Sequence, residues 1–498
     1  MNNNIPIIWS VAGSDSCAGA GMQADIKTAS YLQVHCCSII TVLTAQNTAT
    51  VSDLAVVSSE MFRAQVLSCA DEFMPSVIKS GLIGNVDQAI ILADFLERHP
   101  DIIYICDPVI VSTSGVKLCD DETLSVIKKR LIPRSNLVTP NQHELRYLLE
   151  LDYNETNRER TSKTFLDTYH CASILNKGGD IDSGNALDIW ISSDGEIINL
   201  STPKYGSKLP FHGTGCSLAT AIASYIAKGE SIQNAIILAK HYLTKVIVNS
   251  DQLMRCSSML NHHLSDEIQL PFPYIQYHNI PNYLDKTFPK ESDNIGFYPI
   301  VDSAKWVEKL SQWGVTIVQL RIKDKPIEFI EAEIINALSI ASISGIKVYI
   351  NDYWKLAIKH CAYGVHLGQD DLEDADLDLI KTSGIRLGIS THDHYELFRA
   401  IQISPSYIAL GPIFHTDTKK MRFKPQGLKK IKTWKQLIGM MPLVAIGGIT
   451  LGNMSDIYIR GASGIAVISY VTKSDIPEHD VRKAIDISSK RYFHRGND

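Results

Sequence analysis

Short apolar, β-branched runs alternate with stretches of helical period over most of the chain, the rhythm of an α/β protein. The early runs are IIWSVAG, SIITVLTA, IYICDP, NLVTP and ASILNKGG. They predict an open, mostly parallel sheet with helices on both faces, whose ligands bind at the carboxyl ends of the strands. Eight later runs are FYPIV (297–301), TIVQLR (316–321), KVYIN (347–351), GVHLG (364–368), RLGIS (386–390), YIALG (407–411), LVAIGG (443–448) and GIAVIS (464–469). Eight β-α units in about 200 residues predict a TIM (β/α)8 barrel. Arg321, Asn351, Gly368, Ser390, Gly411, Gly447, Gly448 and Ser469 all fall at the carboxyl ends of these runs, where barrel enzymes keep their active sites. The rhythm breaks from about Ser250 to Asp293, where LPFPYIQYHNIPNYLDKTFPKESD is polar, aromatic and proline-bearing. The expected organisation is a first domain at 1–250, a connector at 251–293 and a barrel at 294–498.

Composition narrows this picture more than it changes it. A chain of 498 residues is too long for one ordinary core. The net charge of −6 offers no basic surface to nucleic acid, and no apolar run approaches the length of a membrane span. The N-terminus has neither the basic flank of a signal peptide nor the arginines of a transit peptide. The ten cysteines are scattered without a CxxC pair, which fits reduced thiols in a cytoplasm.

In the first half, candidate chemistry collects at strand ends. AGSDSCAGAGMQAD (12–25) is a glycine-rich turn leading into a helix, with Asp25 one turn in. TAQNT places Gln46 at a strand end, where an amide can read a heterocycle's edge. In TPNQHE, Asn141 and Glu144 share a helical face, suiting either a Mg2+ water shell or ordinary capping of a helix start. NKGG offers Lys177 to a nucleotide phosphate. HGTGCS places Gly213, Thr214, Gly215 and Cys216 at a helix N-terminus, whose backbone N–H groups form an anion hole. Such a hole suits the charge on a transferring phosphoryl group. The thiol of Cys216 is expected to have a lowered pKa there and to serve as base or hydrogen-bonding partner.

In the barrel half, Arg321 and Lys323 stand two apart at the second strand's end, so their cations converge. Asp352 and Asp371 follow the third and fourth strands and suit one Mg2+. Thr416, Thr418 and Lys419 add anion ligands, and the backbone around Gly448, Ile468 and Ser469 lies after the last two strands, the usual phosphate site of a barrel. Two anion sites and one metal imply a diphosphate substrate beside a monophosphate one.

The ordered set AGSDSCAGAGMQAD, LTAQNT, DPV, TPNQHE, NKGG and HGTGCS resembles the hydroxymethylpyrimidine/phosphomethylpyrimidine kinases of thiamine biosynthesis, ribokinase-like enzymes, over about residues 5–250. The resemblance implies two ATP-dependent phosphorylations of 4-amino-5-hydroxymethyl-2-methylpyrimidine. It puts Asp25 and Gln46 in the pyrimidine pocket and Lys177 and Asn141 near nucleotide and metal. Cys17 stands where a small residue is usual, and Leu82 where methionine is frequent. NDYWKLAIKHCAYGVHLGQDDL resembles thiamine-phosphate synthase, and the likeness runs over about residues 294–475. This implies coupling of the pyrimidine diphosphate to a thiazole phosphate with release of pyrophosphate. Asp352 and Asp371 would hold Mg2+. Gln319, Arg321, Lys323, Asn351, Ser390, Thr416, Thr418 and Lys419 would contact the pyrimidine diphosphate. Gly448, Ile468 and Ser469 would receive the thiazole phosphate. The partners implied are small molecules and ATP, and the resemblance leaves a homo-oligomer through the kinase half open. The other readings are a pyridoxal- or sugar-type kinase joined to an isomerase barrel, and a non-catalytic sensor of thiamine intermediates.

Overall fold

Ile7–Asp15 (β1) is apolar nearly throughout because it is covered on both faces, as a central parallel strand must be. In this computed structural model the described residues are 5–47, 50–110, 118–151, 157–179, 184–205, 211–250, 258–264, 270–276, 287–416 and 424–490. The chain forms two units, Met1–His278 and Asn279–Asp498.

The first unit is built on His35–Gln46 (β2), Val51–Val56 (β3), Val77–Ser80 (β4), Ile103–Cys106 (β5), Leu137–Val138 (β6), Ser173–Asn176 (β7), Asn185–Ser192 (β8) and Ile197–Pro203 (β9), together with β1. Phe211–His212 (β10) and Ser258–Met259 (β11) make a small parallel pair, and Tyr274–Gln276 (β12) joins the main sheet. The sheet order is β12-β9-β8-β7-β6-β5-β4-β1-β2-β3. From β7 to β2 all neighbours are parallel, while β3 at one edge and β8, β9 and β12 at the other are antiparallel. The strand order reverses beside β1, where an open α/β sheet presents its ligand crevice. The helix Val86–Arg98 shows how local sequence makes the layers. Asn85 caps it by accepting the Gln88 N–H, and Ile91, Leu92, Phe95 and Leu96 form its buried stripe. Phe95 stacks on Trp9 of β1 with ring centroids 5.1 Å apart, so Phe95→Ala would cost about 3–5 kcal/mol.

Of the connector expected at 251–293, residues 258–264 and 270–276 pack in the first unit and 287–293 in the second, and the rest lies outside the described residues. β12 pairs antiparallel with β9, with Ile275 opposite Leu200 and fully buried. His262 Nδ1 lies 2.7 Å from the Tyr242 hydroxyl inside the first unit. At the other end, Glu291 is buried in the second unit, accepting from Tyr349 Oη at 2.9 Å and Lys347 Nζ at 3.1 Å. An edge strand binds through its backbone and needs no apolar run, so polar, aromatic text can still belong to a sheet.

The second unit is a closed barrel of Gly296–Val301 (β13), Ile317–Leu320 (β14), Lys347–Asn351 (β15), Gly364–Leu367 (β16), Arg386–Thr391 (β17), Tyr407–Leu410 (β18), Leu443–Ile446 (β19) and Gly464–Val467 (β20). All eight expected strands are present. Tyr298, Tyr349 and Tyr407 fill the interior. Two glycines make room for two of them: a Cβ on Gly364 would stand 2.4 Å from the Tyr349 ring, and one on Gly388 2.2 Å from the Tyr407 ring.

Candidate active sites

A cleft of about 1500 Å3 opens at the carboxyl ends of the parallel strands in the first unit. Its key wall is the start of the helix Thr214–Ala227. Gly213 is the N-cap, with φ +84°, and no side chain caps the first turn. A Cβ on Gly213 would sit 2.0 Å from the Gly19 carbonyl oxygen. Both the left-handed φ and this approach therefore require glycine. The expected cradle residues Gly213, Thr214, Gly215 and Cys216 all line the cleft. Lys177 faces them: a Cβ on Gly215 would meet its Nζ at 3.2 Å. Lys177 Nζ bonds Asp107 Oδ1 at 2.9 Å and stands 4.0 Å from Glu144. Thr139 Oγ1 donates to the same Asp107 oxygen at 2.9 Å. Burial alone would raise the Asp107 pKa, but the Lys177 and Lys79 ammonium groups hold it below the usual carboxylate value.

Two expectations change here, for Cys216 and Asp25. Burial pushes the Cys216 thiol up to about 11, with Asp25 and Asp107 opposing its ionisation and Lys79 only partly favouring it. The lowered pKa expected for a thiol at this helix start is therefore not found. Asp25 does not face the cleft. It is fully buried, and its oxygens take Lys79 Nζ at 2.9 Å, Ser10 Oγ at 2.5 Å and Thr220 Oγ1 at 2.6 Å. Lys79, a lysine in the middle of β4, reaches the cleft floor instead. Asn141 and Glu144 do line the cleft. Each also caps the other's backbone, with Asn141 Oδ1 accepting Glu144 N at 2.8 Å and Glu144 Oε2 accepting Asn141 N at 2.8 Å. Gln46 and Leu82 line the same space as expected. Lys79 and Asp107 went unassigned in the sequence, although the DPV motif at the end of β5 pointed to Asp107.

The barrel gathers its expected residues at the carboxyl ends of β14 to β20. Lys323 Nζ is bonded to Asp352 Oδ2. Asp352 has φ +65°, a left-handed conformation held by its N–H to His366 O at 2.9 Å. Asp371 Oδ2 accepts the Gly368 N–H at 3.1 Å. Partial burial, and then the neighbouring Asp352 charge, raise the Asp371 pKa. Two carboxylates that repel one another beside a single lysine fit a hard divalent cation. Gln319 and Asn351 are buried at this end, and Gln319 Nε2 lies 3.5 Å from the Tyr298 hydroxyl. Arg321 follows β14, with its backbone bonded to Val301 O at 2.7 Å. Ser390 Oγ is 2.8 Å from His366 Nε2, and His366 Nδ1 is 2.7 Å from the Tyr407 hydroxyl. Burial lowers the His366 pKa to about 4, so a neutral imidazole orients the serine. His366 was missed because on β16 it reads as one polar residue in an apolar run.

Gly448 has φ +64°, and a Cβ there would strike the His415 carbonyl oxygen at 2.4 Å. Ile468 and Ser469 follow β20 directly. Thr416 is half-buried after β18, while Thr418 and Lys419 lie outside the described residues.

An open-sheet phosphotransferase cleft and a parallel barrel with an acidic and basic mouth define a two-domain transferase. Residues 15–261 match the phosphomethylpyrimidine kinase family, and residues 297–471 match the thiamine monophosphate synthase family. A probable chloroplastic thiamine biosynthetic bifunctional enzyme of Oryza sativa subsp. japonica is 33% identical, over 93% of this chain and 85% of its own. A chloroplastic thiamine biosynthetic bifunctional enzyme of Arabidopsis thaliana is 32% identical, over 95% and 91% respectively. A thiamine-phosphate synthase of Proteus mirabilis is 52% identical over 38% of this chain and 88% of its own. Pyridoxal kinase from Staphylococcus aureus in complex with AMP-PCP shares the fold of the first unit, with a TM-score of 0.50 and 24% identity over 55% of this chain and 99% of that one. The chain belongs to the family of bifunctional thiamine-biosynthetic enzymes, which join a phosphomethylpyrimidine kinase domain to a thiamine-phosphate synthase domain. No helix among the described residues is long and apolar enough to cross a membrane.

Proposed function

We propose that this chain makes thiamine phosphate from 4-amino-5-hydroxymethyl-2-methylpyrimidine, ATP and 4-methyl-5-(2-phosphoethyl)thiazole. The carrying observation is the meeting of the Gly213 cradle with the Asp107–Lys177 pair in one cleft. The substrate hydroxyl attacks the γ-phosphorus of ATP, the bond to the β-bridging oxygen breaks, ADP leaves and the hydroxyl proton is released. In the second round an oxygen of the monophosphate attacks. Lys177 and the backbone of Gly213 to Cys216 stabilise charge on the transferring group. The neutral Cys216 thiol orients the attacking oxygen, and Gln46 reads the pyrimidine edge. Asn141 and Glu144 lie at the nucleotide side.

In the barrel, the bond between the pyrimidine methylene and the diphosphate breaks, and the amino group feeds electrons to the resulting cation. The thiazole nitrogen lone pair then forms the new C–N bond as pyrophosphate departs. Gln319, Arg321, Lys323, Asn351, Ser390, Thr416, Thr418 and Lys419 hold the diphosphate and pyrimidine, with Lys419 at the leaving group. Gly448, Ile468 and Ser469 hold the thiazole phosphate. Asp352 and Asp371 would hold Mg2+, which neutralises the leaving diphosphate. The nine cysteines among the described residues are free thiols, which supports a reducing, cytoplasmic setting. The test is to incubate the whole chain with ATP, Mg2+, hydroxymethylpyrimidine and thiazole phosphate and to look for thiamine phosphate by mass. Its absence, with active controls, overturns the proposal.

A further inference from the structure

A second cluster of metal-ligating groups lies at the edge of the kinase cleft. Asp15 ends β1, Cys17 lies in the turn that follows, and His212 ends β10 directly before Gly213. One ligand atom from each lies within 4.8 Å of the others. His212 Nε2 stands 3.4 Å from Asp15 Oδ2, and the Cys17 thiol donates to that oxygen with Sγ also 3.4 Å away. A tetrahedral zinc ion with ordinary bond lengths places its N and O ligands about 3.3 Å apart and its S and O ligands about 3.5 Å apart. The two measured edges match that figure. Among the described residues, buried His212 Nε2 has no aligned hydrogen bond, only its 3.4 Å approach to Asp15 Oδ2. The carboxylate is held rigidly, with Oδ1 accepting Cys17 N at 2.9 Å and Oδ2 accepting Gly19 N at 2.9 Å and Ala20 N at 2.8 Å. Such backbone donors are the outer-shell support that metal ligands need.

We propose that Asp15, Cys17 and His212 form a site for a thiophilic divalent cation of the zinc(II) class. Binding replaces the Cys17 thiol proton, which leaves to solvent, and takes a lone pair from the His212 imidazole and one from the Asp15 carboxylate. No electron changes hands, and the fourth position takes a water. The hard cation Mg2+ does not compete for a site containing a thiolate. Occupancy fixes the glycine-rich turn of 14–20 to the strand that carries the anion cradle. Gly19 already touches both partners: a Cβ on it would lie 2.7 Å from the His212 ring, and its carbonyl abuts Gly213. Pinning these two stretches at the edge of the cleft, which Asp15 and His212 line, is expected to slow the kinase half.

The test uses the full chain in metal-free buffer with cobalt(II) as probe. About one equivalent of cobalt should give a thiolate-to-cobalt charge-transfer absorption that zinc abolishes. Zinc should also inhibit ATP-dependent phosphorylation of hydroxymethylpyrimidine in excess Mg2+. Cys17→Ser should abolish the absorption and raise the inhibitory zinc concentration by about tenfold or more, with the zinc-free kinase rate unchanged. Cys216→Ser should keep the absorption. If Cys17→Ser does not fold, zinc protection of wild-type Cys17 from alkylation, located by peptide mass, decides the matter. A wild-type chain with no such absorption, a Cys17→Ser chain that keeps it, or a Cys17 that zinc leaves unprotected overturns the site.

Discussion

The two sites handle charge in opposite ways. In the open sheet, three acids meet a lysine within the protein: Asp25 with Lys79, Asp107 with Lys177 and Asp188 with Lys240. The helix start beside them has no side-chain cap, so its backbone N–H groups face the cleft. At the barrel mouth, Lys323 bonds Asp352, while Asp371 stands beside that carboxylate and has its pKa raised by burial and by the Asp352 charge. A site that moves a phosphoryl group twice keeps its own charges settled. The barrel mouth instead keeps two half-buried carboxylates side by side.

The largest effect should come from Gly215→Val. Its side chain would enter the space between the cradle and Lys177. Kinase turnover should fall by about 10²–10³-fold, while coupling of supplied pyrimidine diphosphate continues at the wild-type rate. Kinase activity within a few-fold of wild type would show that the phosphoryl group does not sit there.

Next comes the boundary between the halves. Residues 1–278 should fold and keep both phosphorylations, and residues 279–498 should keep coupling. Residues 1–250 lose β11, β12 and the Tyr242–His262 contact, and leave Leu200 uncovered at a sheet edge. That fragment should give a non-native circular dichroism spectrum or aggregate. A soluble, active 1–250 fragment would restore the tether that the sequence suggested.

A smaller effect separates the metal sites. Asp352→Ala and Asp371→Ala should each raise the Mg2+ concentration for half-maximal coupling by about tenfold or more, with kinase Mg2+ dependence unchanged. Titration of either variant like wild type would remove the carboxylate pair from the metal.

The smallest effect concerns pH. The Asp371 pKa is raised in the folded protein, so the folded state holds its proton more tightly than the unfolded chain. Its contribution to stability is present below the unfolded carboxylate value of about 4 and is lost as pH rises through the raised folded one. Without Mg2+ at neutral pH, Asp371→Asn should melt about 1–2 °C higher in the barrel transition, and Mg2+ should no longer stabilise it as it does wild type. A lower melting temperature would mean that burial and the Asp352 charge do not together destabilise the ionised Asp371.

Legibility in the sequence followed burial and locality. Barrel strands covered on both faces are continuous apolar words, so all eight were readable, as were the glycine-rich turns. β12 was not, since an edge strand made by backbone pairing leaves no apolar signature. Lys79 was invisible because the acid that makes its burial tolerable, Asp25, is 54 residues away. The Cys216 thiol was misjudged for the same reason: the helix start is local, but the burial that raises its pKa, and then the Asp25 and Asp107 charges, come from distant parts of the chain.

The tyrosine-filled barrel interior constrains inheritance. Gly388 pairs in register with Tyr407, and Gly364 with Tyr349. Replacing a strand glycine with alanine ordinarily gains stability by shrinking the freedom of the unfolded chain. Here the new methyl group would land in an aromatic ring. Each glycine and its tyrosine therefore drift as one character. A lineage can exchange bulk from one strand to the next, but only through paired changes, and a stabilisation campaign that scores positions singly would choose the wrong residue at both sites.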